Sequence, residues 1–362
     1  MIEIKFDKNN NKSMAYDVDT KIGKCEFIEQ GECWNIIHTE VSNLYQGQGI
    51  ARRLVENIIE NAKKYNKNLV AECSYAKKVI DEKWRLNMSI EENYIIENEI
   101  TDQSKKQEYW NTGIGLNKVD NLEPSQYLLD LSEKNIKGEL KYYEIEDLLK
   151  KYYETKNIND IKVQKEKECD LVSLRIAQLL EDKSFGFSPI TLKNIHRYLF
   201  KDIYEFAGNY RDYNISKNES ILNGESIKYV NYQDIESFFD YDFKEEKEFD
   251  YSKLNQEELI KHIAKFTSSI WQVHAFGEGN TRTTAVFIEK YLNNMGFNVN
   301  NDMFKEYSLY FRNALVRSNY GNIPKGIYPT FEYLVMFFEN LLQGKNNELK
   351  NRDLYIKELF EN

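Results

Sequence analysis

About a quarter of the way along this chain, the spacing of its apolar residues changes. The first part is built of short β-leaning runs. "KCEFIEQGECWNIIHTEV" holds two of them around Gln30-Gly31, with apolar and polar positions alternating in the second. A polar turn, "SNLYQGQG", leads into "IARRLVENIIENAKKY", where Ile50, Leu54, Ile58 and Ala62 recur every four residues beside Val55 and Ile59. That spacing predicts an amphipathic helix. "NLVAECSY" is short, apolar and β-leaning, and predicts the next strand. Between about Leu86 and Ser104 the pattern thins to an acidic stretch that reads as a linker or a bridging helix.

Beyond it the period is helical. "PSQYLLDLSEKNI", "YYEIEDLLKKYYE", "ECDLVSLRIAQLLED" and "SPITLKNIHRYLFKDIYEF" all carry it, the last opening on the start signal Ser188-Pro189. The exception is "ISKNESILNGESIKYVN", where Asn223-Gly224 between β-prone runs predicts a hairpin. No repeat of solenoid period is visible. The pattern therefore predicts a multidomain chain, with an α/β module over 1–90, a linker over 91–104 and helical structure thereafter.

Composition narrows the functional classes. A length of 362 residues gives room for two or three domains with cores of their own. A net charge of −10 argues against a nucleic-acid partner, which calls for a basic face. Cys25, Cys33, Cys73 and Cys169 show no C-x-x-C spacing, so reduced thiols are expected. There is no signal-like start and no window of 18 apolar residues, so no membrane partner and a cytoplasmic location are expected.

Two turns carry candidate chemistry. In the first, strand, "QGQGIA" and helix follow one another in the order of an anion cradle. Glycines let the backbone approach a phosphate that faces the helix N-terminus. The spacing fits neither a Walker A loop nor G-x-G-x-x-G, and two glycines before a helix also read simply as a tight turn. Cys73 on the following strand reads either as a small apolar packing residue or as a reactive thiol.

The second turn is "HAFGEGNTR", His274 to Arg282, directly before the helical pattern of Ala285, Ile288, Glu289 and Leu292. His274 has a side chain suited to general base work near neutral pH. Glu278 is a hard oxygen ligand of the kind Mg²⁺ uses beside substrate phosphates. Gly279, Asn280 and Thr281 open the helix, whose free N–H groups bind anionic oxygens. Arg282 adds a fixed positive fork. Together these suit transfer of a phosphate-bearing group to a hydroxyl. Taken singly, each has a plain structural reading: a cap, a dipole complement or a turn.

Both turns resemble known families. "IIHTEVSNLYQGQGIARRLVENIIENAKKYNKNLVAECSYAKK" resembles the small single-domain branch of the GNAT acetyltransferases, over about Ile2 to Trp84. That resemblance implies acetyl-CoA bound at Gln46, Gly47, Gln48, Gly49 and Ala51, Cys73 as a catalytic nucleophile or acid, and an acetyl acceptor that is not specified. "HAFGEGNTRTTA" resembles the Fic signature, H-P-F-x-(D/E)-G-N-G-R-x-x-R. "IHRYLFKDIYEFAGNYRDYNISK" resembles the helix-and-strand segment that precedes it, and the likeness runs from about Ile161 to Gln343.

The second resemblance implies an all-α Fic fold over 157–346 with a β-hairpin flap, followed by a helical tail over 347–362. It implies AMP transfer from Mg-ATP to a Ser, Thr or Tyr hydroxyl of a protein substrate. In that scheme His274 is the base, Phe276 a buried anchor and Glu278 the Mg²⁺ ligand. Gly279, Asn280, Thr281 and Arg282 hold the nucleotide phosphates, Arg282 on the β-phosphate side. The flap, with Leu222, Gly224, Ile227 and Tyr229, docks the target as an added strand. Relatives of this kind also move UMP, phosphate or phosphocholine, and no residue here excludes those donors.

The chain departs from the Fic pattern in three places. Ala275 replaces Pro, Thr281 replaces a glycine that would tolerate positive φ, and Ala285 replaces the last arginine. Upstream, "YWNTGIGLNKVDNLEPSQYLLDLSEKNIKGELKYYEIEDLLKKYY" resembles the antitoxin-like helical segment found with Fic domains, here 105–156. Its inhibitory pattern falls on Leu116 to Asn121, with Asp120 for the expected glutamate and Asn121 after it. Two possibilities remain open: the segment is a scaffold that no longer inhibits, or the nucleotide binds in another pose. The competing reading is a regulatory binding protein with a decayed site.

Overall fold

The structure, a computed structural model, describes residues 2–18, 20–31, 33–42, 45, 49–65, 67–80, 103–299 and 302–360. The chain divides into two compact units, Met1–Glu99 and Ile100–Asn362. The expected linker at 91–104 lies outside the described residues as far as residue 102.

The first unit is a five-stranded sheet with one long helix. Strands β1 (Ile2–Asp7), β2 (Lys12–Asp17), β3 (Thr20–Gln30) and β4 (Cys33–Val41) form an antiparallel meander, and β5 (Asn68–Ala71) adds to β4 in parallel. A parallel neighbour requires a crossover, and α1 (Ile50–Lys64) supplies it. The four-residue recurrence read from the sequence is the buried stripe of α1. Ile50, Leu54, Val55, Ile58, Ile59 and Ala62 pack on Ala15, Ile22, Cys25, Phe27, Trp34 and Ile36. Each such large aliphatic side chain contributes about 1.5–3 kcal/mol by leaving water.

The predicted strand through Cys73 is shorter than expected. The N–H groups of Glu72 and Cys73 both donate to the Ile36 carbonyl, at 3.0 and 3.1 Å. The chain turns off the sheet there, and residues 74–80 are helical. No disulfide joins the four cysteines.

The second unit is helical: α2 (Gln103–Asn117), α3 (Gln126–Ile136), α4 (Tyr142–Glu154), α5 (Ile161–Glu181), α6 (Pro189–Phe200), α7 (Ile235–Glu248), α8 (Gln256–Val273), α9 (Asn280–Asn294), α10 (Asp302–Asn319) and α11 (Glu332–Gln343). The second half of helix α5, from Cys169 to Ala177, is buried on all sides, while its first half carries charged, partly exposed residues. Leu171, Leu174 and Ala177 pack on Trp110, Leu128, Leu131, Ile145, Leu149 and Tyr153 of α2 to α4. Val172, Ile176 and Leu180 face the larger core shared with α6 to α11. Buried Arg175 ties α5 to α4 through Glu146 (2.8 Å) and to the end of α6 through the carbonyls of Leu199 and Lys201 (3.1 and 2.6 Å).

Helix α2 lies unusually close to its neighbours because of two glycines. A Cβ on Gly113 would stand 2.5 Å from the Ser173 carbonyl oxygen, and one on Gly115 would stand 2.4 Å from Lys305 Cα. Glycine inside a helix costs about 1 kcal/mol, and here that cost allows α2 to contact α5 and α10 backbone to backbone.

Two expectations are corrected. The segment around Asn223-Gly224 is not a hairpin. It is a 3-10 turn, Ser220–Leu222, closed by left-handed Asn223 and Gly224 (φ 52° and 85°). The C-terminal segment takes its outward groups: the Ile221 carbonyl accepts from Ile356 N–H (3.3 Å), and Asn223 Nδ2 donates to the Leu359 carbonyl (2.8 Å). The tail itself is not α-helical, but two 3-10 turns, Asn351–Leu354 and Lys357–Leu359, that bury Leu354, Ile356 and Leu359.

Helix α9 holds a buried acid, Glu289, whose two carboxylate oxygens have no hydrogen-bond partner among the described residues. Burial pushes its pKa up to about 8. The unfolded chain therefore releases this proton near pH 4.5 while the folded chain keeps it, and stability falls by up to about 1.4 kcal/mol per pH unit between the two values. Glu289→Gln should raise the melting temperature at pH 7.5 and leave it nearly unchanged at pH 4.5. Equal shifts at both pH values would contradict this.

Candidate active site

The loop from His274 to Gly279 joins α8 to α9, and each end is closed by a left-handed residue. His274 ends α8 at φ 46°, ψ 54°, and Gly279 starts α9 at φ 77°, ψ 9°. A Cβ on Gly279 would stand 2.3 Å from the Phe200 ring, so both space and dihedral require glycine there. For His274 the same region costs on the order of 1 kcal/mol or more and persists only where the surroundings impose it.

Arg211 imposes much of it. Its Nε donates to the His274 carbonyl (2.8 Å) and Nη1 to the Tyr213 carbonyl (2.6 Å), while Nη2 reaches the carbonyls of Val230 and Val273. Its backbone N–H donates to the Ala275 carbonyl (2.8 Å). One guanidinium thus ties the loop to both ends of the 213–230 segment.

The middle of the loop rests on His196 of α6. The Phe276 ring is buried and stacks on the imidazole, with centroids 3.8 Å apart at 6°. Nδ1 of His196 accepts from Gly208 N–H (2.9 Å), which leaves Nε2 to carry the proton and donate to the Glu278 carbonyl (3.0 Å). Burial drives the pKa of His196 down to about 4. Asn280 closes the loop from the other side, its side chain bonding the N–H (2.9 Å) and the carbonyl (2.8 Å) of Phe276. Asn280 therefore shapes the turn that opens α9 through its side-chain amide.

His274 itself is buried, and neither ring nitrogen has a hydrogen-bond partner among the described residues. The ring lies between Tyr229 (4.4 Å) and Trp271 (5.3 Å). Burial, reinforced by the positive charges of Lys217, Arg312 and Arg211, lowers its pKa well below the ordinary histidine value. The imidazole is thus neutral at physiological pH and can accept a proton. Behind it, the Tyr229 hydroxyl donates to buried Glu219 (3.3 Å), which is ion-paired with Arg312 (2.7 Å).

Helix α9 begins with no side-chain cap and no acid in its first turn, which leaves its N-terminal dipole available to an anion. Thr281 sits in the helix with no positive φ, so the strain expected for a residue in place of glycine does not arise. Its hydroxyl accepts from Trp271 Nε1 (3.0 Å). The Glu278 carboxylate accepts from Gly279 N–H (3.1 Å) and stands 3.7 Å from Lys217 Nζ, with 38% of the side chain exposed. No cluster of three metal-ligating side chains occurs among the described residues. A partly exposed carboxylate at an anion-binding helix end nevertheless fits Mg²⁺, which is held by one or two carboxylates plus phosphates and water.

Arg282 departs most from expectation. Its guanidinium is fully buried: Nη1 donates to Asn117 Oδ1 (2.9 Å) and Nη2 to Glu168 (2.7 Å), while Nε stands at ion-pair distance from Asp120 (2.9 Å) without hydrogen-bond alignment. The Phe200 ring lies 4.8 Å from its carbon. Burial opposes the charge, but Asp120 and Glu168 outweigh it and raise the pKa of Arg282. Asp120 is delivered by the 3-10 turn Lys118–Asp120, closed by left-handed Asn121 (φ 53°). The acid aligned with the inhibitory position therefore pairs with Arg282, and position 285 is a buried alanine.

Of the predicted flap residues, Leu222 and Ile227 are core side chains, Gly224 is the turn, and Tyr229 touches His274. Arg211, His196, Glu168 and Asn117 were not singled out from the sequence. Arg211 and His196 lie within the quoted segment 195–217, which contains a helix but no strand.

In the first unit, Gln46, Gly47 and Gln48 lie outside the described residues. Gly49 is the left-handed N-cap of α1 (φ 72°), again with no acid in the first turn, and Ala51 lies on the helix. An anionic group fits that end. Cys73 Sγ lies 3.7 Å from Thr39 Oγ1, which also meets Cys25 Sγ at 3.2 Å. Burial pushes the Cys25 thiol up to about 12, which leaves it inert.

The hydrogen bonds of His196 predict a neutral ring protonated on Nε2. Below pH 6.5 the unfolded imidazole takes a proton that the folded one refuses until about pH 4, so stability falls as pH drops through that window. Imidazole ¹⁵N shifts of His196 should report the Nε2–H tautomer down to pH 5. A titration near pH 6.5 would contradict this.

Comparison with known proteins gives two family matches. Residues 13–86 match the model of the GCN5-related N-acetyl-transferases, and residues 186–292 match that of the Fic/DOC family. The protein adenylyltransferase VbhT of Bartonella schoenbuchensis is 29% identical over 132 residues, which is 36% of this chain and 26% of that protein. The chain thus spans about a quarter of the relative's length.

Two solved structures are similar. One is the N-terminal FIC domain of Bep8, a VirB-translocated effector of Bartonella sp. 1-1C, with 20% identity, a TM-score of 0.41 and 51% of this chain and 88% of that one covered. The other is BepC of Bartonella tribocorum with bound AMPPNP, with 18% identity, a TM-score of 0.40 and the same coverages.

Proposed function

We propose that this chain, which carries a Fic/DOC domain behind a GCN5-related one, is a protein adenylyltransferase. The observation that supports the reading best is a buried, neutral His274 with both ring nitrogens unpartnered, one short loop away from the uncapped N-terminus of α9. A base with no internal partner next to an anion-binding helix end suits attack of a hydroxyl on a phosphate ester.

In this reading ATP is the substrate and the acceptor is a Ser, Thr or Tyr hydroxyl of a protein. His274 takes the hydroxyl proton. The oxygen bonds to the α-phosphorus and the bond to the β-phosphate side breaks, so AMP stays on the target and pyrophosphate leaves. The backbone N–H groups at Asn280 to Arg282 hold phosphate oxygens, that of Gly279 being taken by Glu278. Glu278 would hold Mg²⁺, which neutralises phosphate charge when bound. Tyr229 and the 213–230 segment, fixed by Arg211, position the acceptor beside His274.

The pairing of Asp120 with Arg282 adds a restraint. While the guanidinium is held by Asp120, Asn117 and Glu168, it is not free to meet a β-phosphate. With 29% of its side chain exposed against none for Arg282, Asp120 is the half of the pair that faces solvent. Asp120→Ala should raise self-labelling from ATP at least fivefold and lower the melting temperature by a few degrees. Unchanged labelling would show that the upstream helices serve only as scaffold.

The direct test is incubation with labelled ATP, GTP, UTP and CTP in Mg²⁺, with His274→Ala as control. Labelling from ATP that disappears in the variant is expected. If no nucleotide labels any protein in a His274-dependent way, the reading fails.

For the first unit we propose acetyl-CoA binding, with its pyrophosphate at the N-terminus of α1 and Gln46, Gly47, Gln48, Gly49 and Ala51 around it. Cys73 is the candidate nucleophile or acid, and the acceptor is not identified by the residues. Gly49→Trp should weaken acetyl-CoA binding at least tenfold by calorimetry. Unchanged affinity would remove the cradle.

A further inference from the structure

A second charged site lies away from the His274 loop, where the end of α10, the connection to α11 and the C-terminal segment meet. It is an open cavity of about 330 Å³ lined by Arg317, Tyr328, Tyr333, Tyr355, Lys357 and Glu358, among others. Arg317 Nε and Nη1 are shielded from solvent and meet no partner in hydrogen-bond geometry among the described residues; Tyr333 and Glu358 favour the guanidinium's charge, but burial outweighs them and lowers its pKa. The Tyr333 ring lies 5.6 Å from the guanidinium carbon, and Tyr333's own hydroxyl donates to the Asp353 carbonyl (2.8 Å).

Leaving guanidinium donors buried and unpaired costs several kcal/mol, so such a group calls for a partner. An oxyanion is the partner whose geometry matches the fork. Two cations, Arg317 and Lys357, against one carboxylate, Glu358, leave a single net positive charge around the cavity. That balance suits a monoanionic carboxylate better than a dianionic phosphate. Tyr328 and Tyr355, 65% and 42% exposed, offer aromatic walls to a chain segment carrying the acid.

We propose that this cavity binds one carboxylate of an acidic protein segment. Its place suggests which segment. Ile356 N–H donates to the Ile221 carbonyl, and Lys325 pairs with Glu225 (3.5 Å), so the walls of the cavity are fastened to the turn that leads to Tyr229 and His274. On the adenylyl-transfer reading, and resting on it, the acid belongs to the protein that is modified. It anchors that protein outside the catalytic loop.

The test uses the full chain with ¹⁵N-labelled arginine side chains. It is titrated with a blocked Gly-Gly-Glu-Gly-Gly peptide and with its Gln counterpart. The Glu peptide should shift the Arg317 Nε–H resonance, assigned by its loss in Arg317→Lys, and the Gln peptide should not. Lys357→Gln should weaken binding at least threefold, Arg317→Lys at least tenfold, and His274→Ala not at all. Equal binding of the two peptides would overturn the proposal, as would unaltered affinity in Lys357→Gln. Inorganic phosphate displacing the peptide at a lower concentration than the peptide itself requires would overturn the carboxylate assignment.

Lys357 is exposed, so its variant decides the question even if Arg317→Lys does not fold. Peptide binding without any nucleotide labelling keeps this site and removes the catalytic reading. Labelling without peptide binding does the reverse.

Discussion

A guanidinium with no exposed surface must be neutralised where it stands, because a lone charge in the interior would cost more than the fold can supply. Arg282 meets that demand with three partners from three places: Asp120 from the turn after α2, Asn117 from the end of α2 itself, and Glu168 from α5. The same residue is the third of helix α9, whose first turn borders the candidate phosphate site. Packing of the upstream helices and availability of the site's arginine are therefore one electrostatic matter. The two glycines of α2 bring its backbone against α5 and α10 and so deliver Asn117 and Asp120 to the guanidinium.

The reactive loop is held by a different set of contacts, none of which removes the candidate base. Arg211 binds its carbonyls, His196 supports Phe276 and Glu278, and Asn280 brackets Phe276. Among the loop's side chains, the His274 ring alone has buried nitrogens without a hydrogen-bond partner among the described residues. On the proposed reading this neutral, unpartnered imidazole is the base, held at the cost of a left-handed backbone and buried nitrogens.

Much of this was legible in the sequence, for identifiable reasons. The stripe of α1 and the helices after Ser188-Pro189 follow from periodicity and caps, which act locally. The site loop was legible because His274, Glu278, Gly279 and Arg282 crowd into nine residues. The hairpin at Asn223-Gly224 was misread because its local signal is real, as the left-handed Asn223 and Gly224 show, but the backbone groups of 219–225 bond to one another in a tight 3-10 turn, and the C-terminal segment 135 residues away takes the Ile221 carbonyl. Asp120 was singled out from the sequence by motif alone, without a partner; in the structure it pairs with Arg282. Alignment by motif directed attention to the missing arginine at 285, whereas three-dimensional packing placed the acid on the arginine that remained. Arg211 and Glu168 left no periodic or spacing signal, since the site residues they hold, His274 and Arg282, lie 63 and 114 residues off in sequence.

The central claim is that a protein hydroxyl attacks the α-phosphorus of ATP with His274 as base, under restraint by Asp120. Its most direct test compares ATP labelled on the α-phosphate with ATP labelled on the γ-phosphate, using the Asp120→Ala chain with and without His274→Ala. The account predicts stable protein labelling from the α-label only, lost when His274 is replaced. Labelling from the γ-phosphate, or α-labelling that survives without His274, would contradict it.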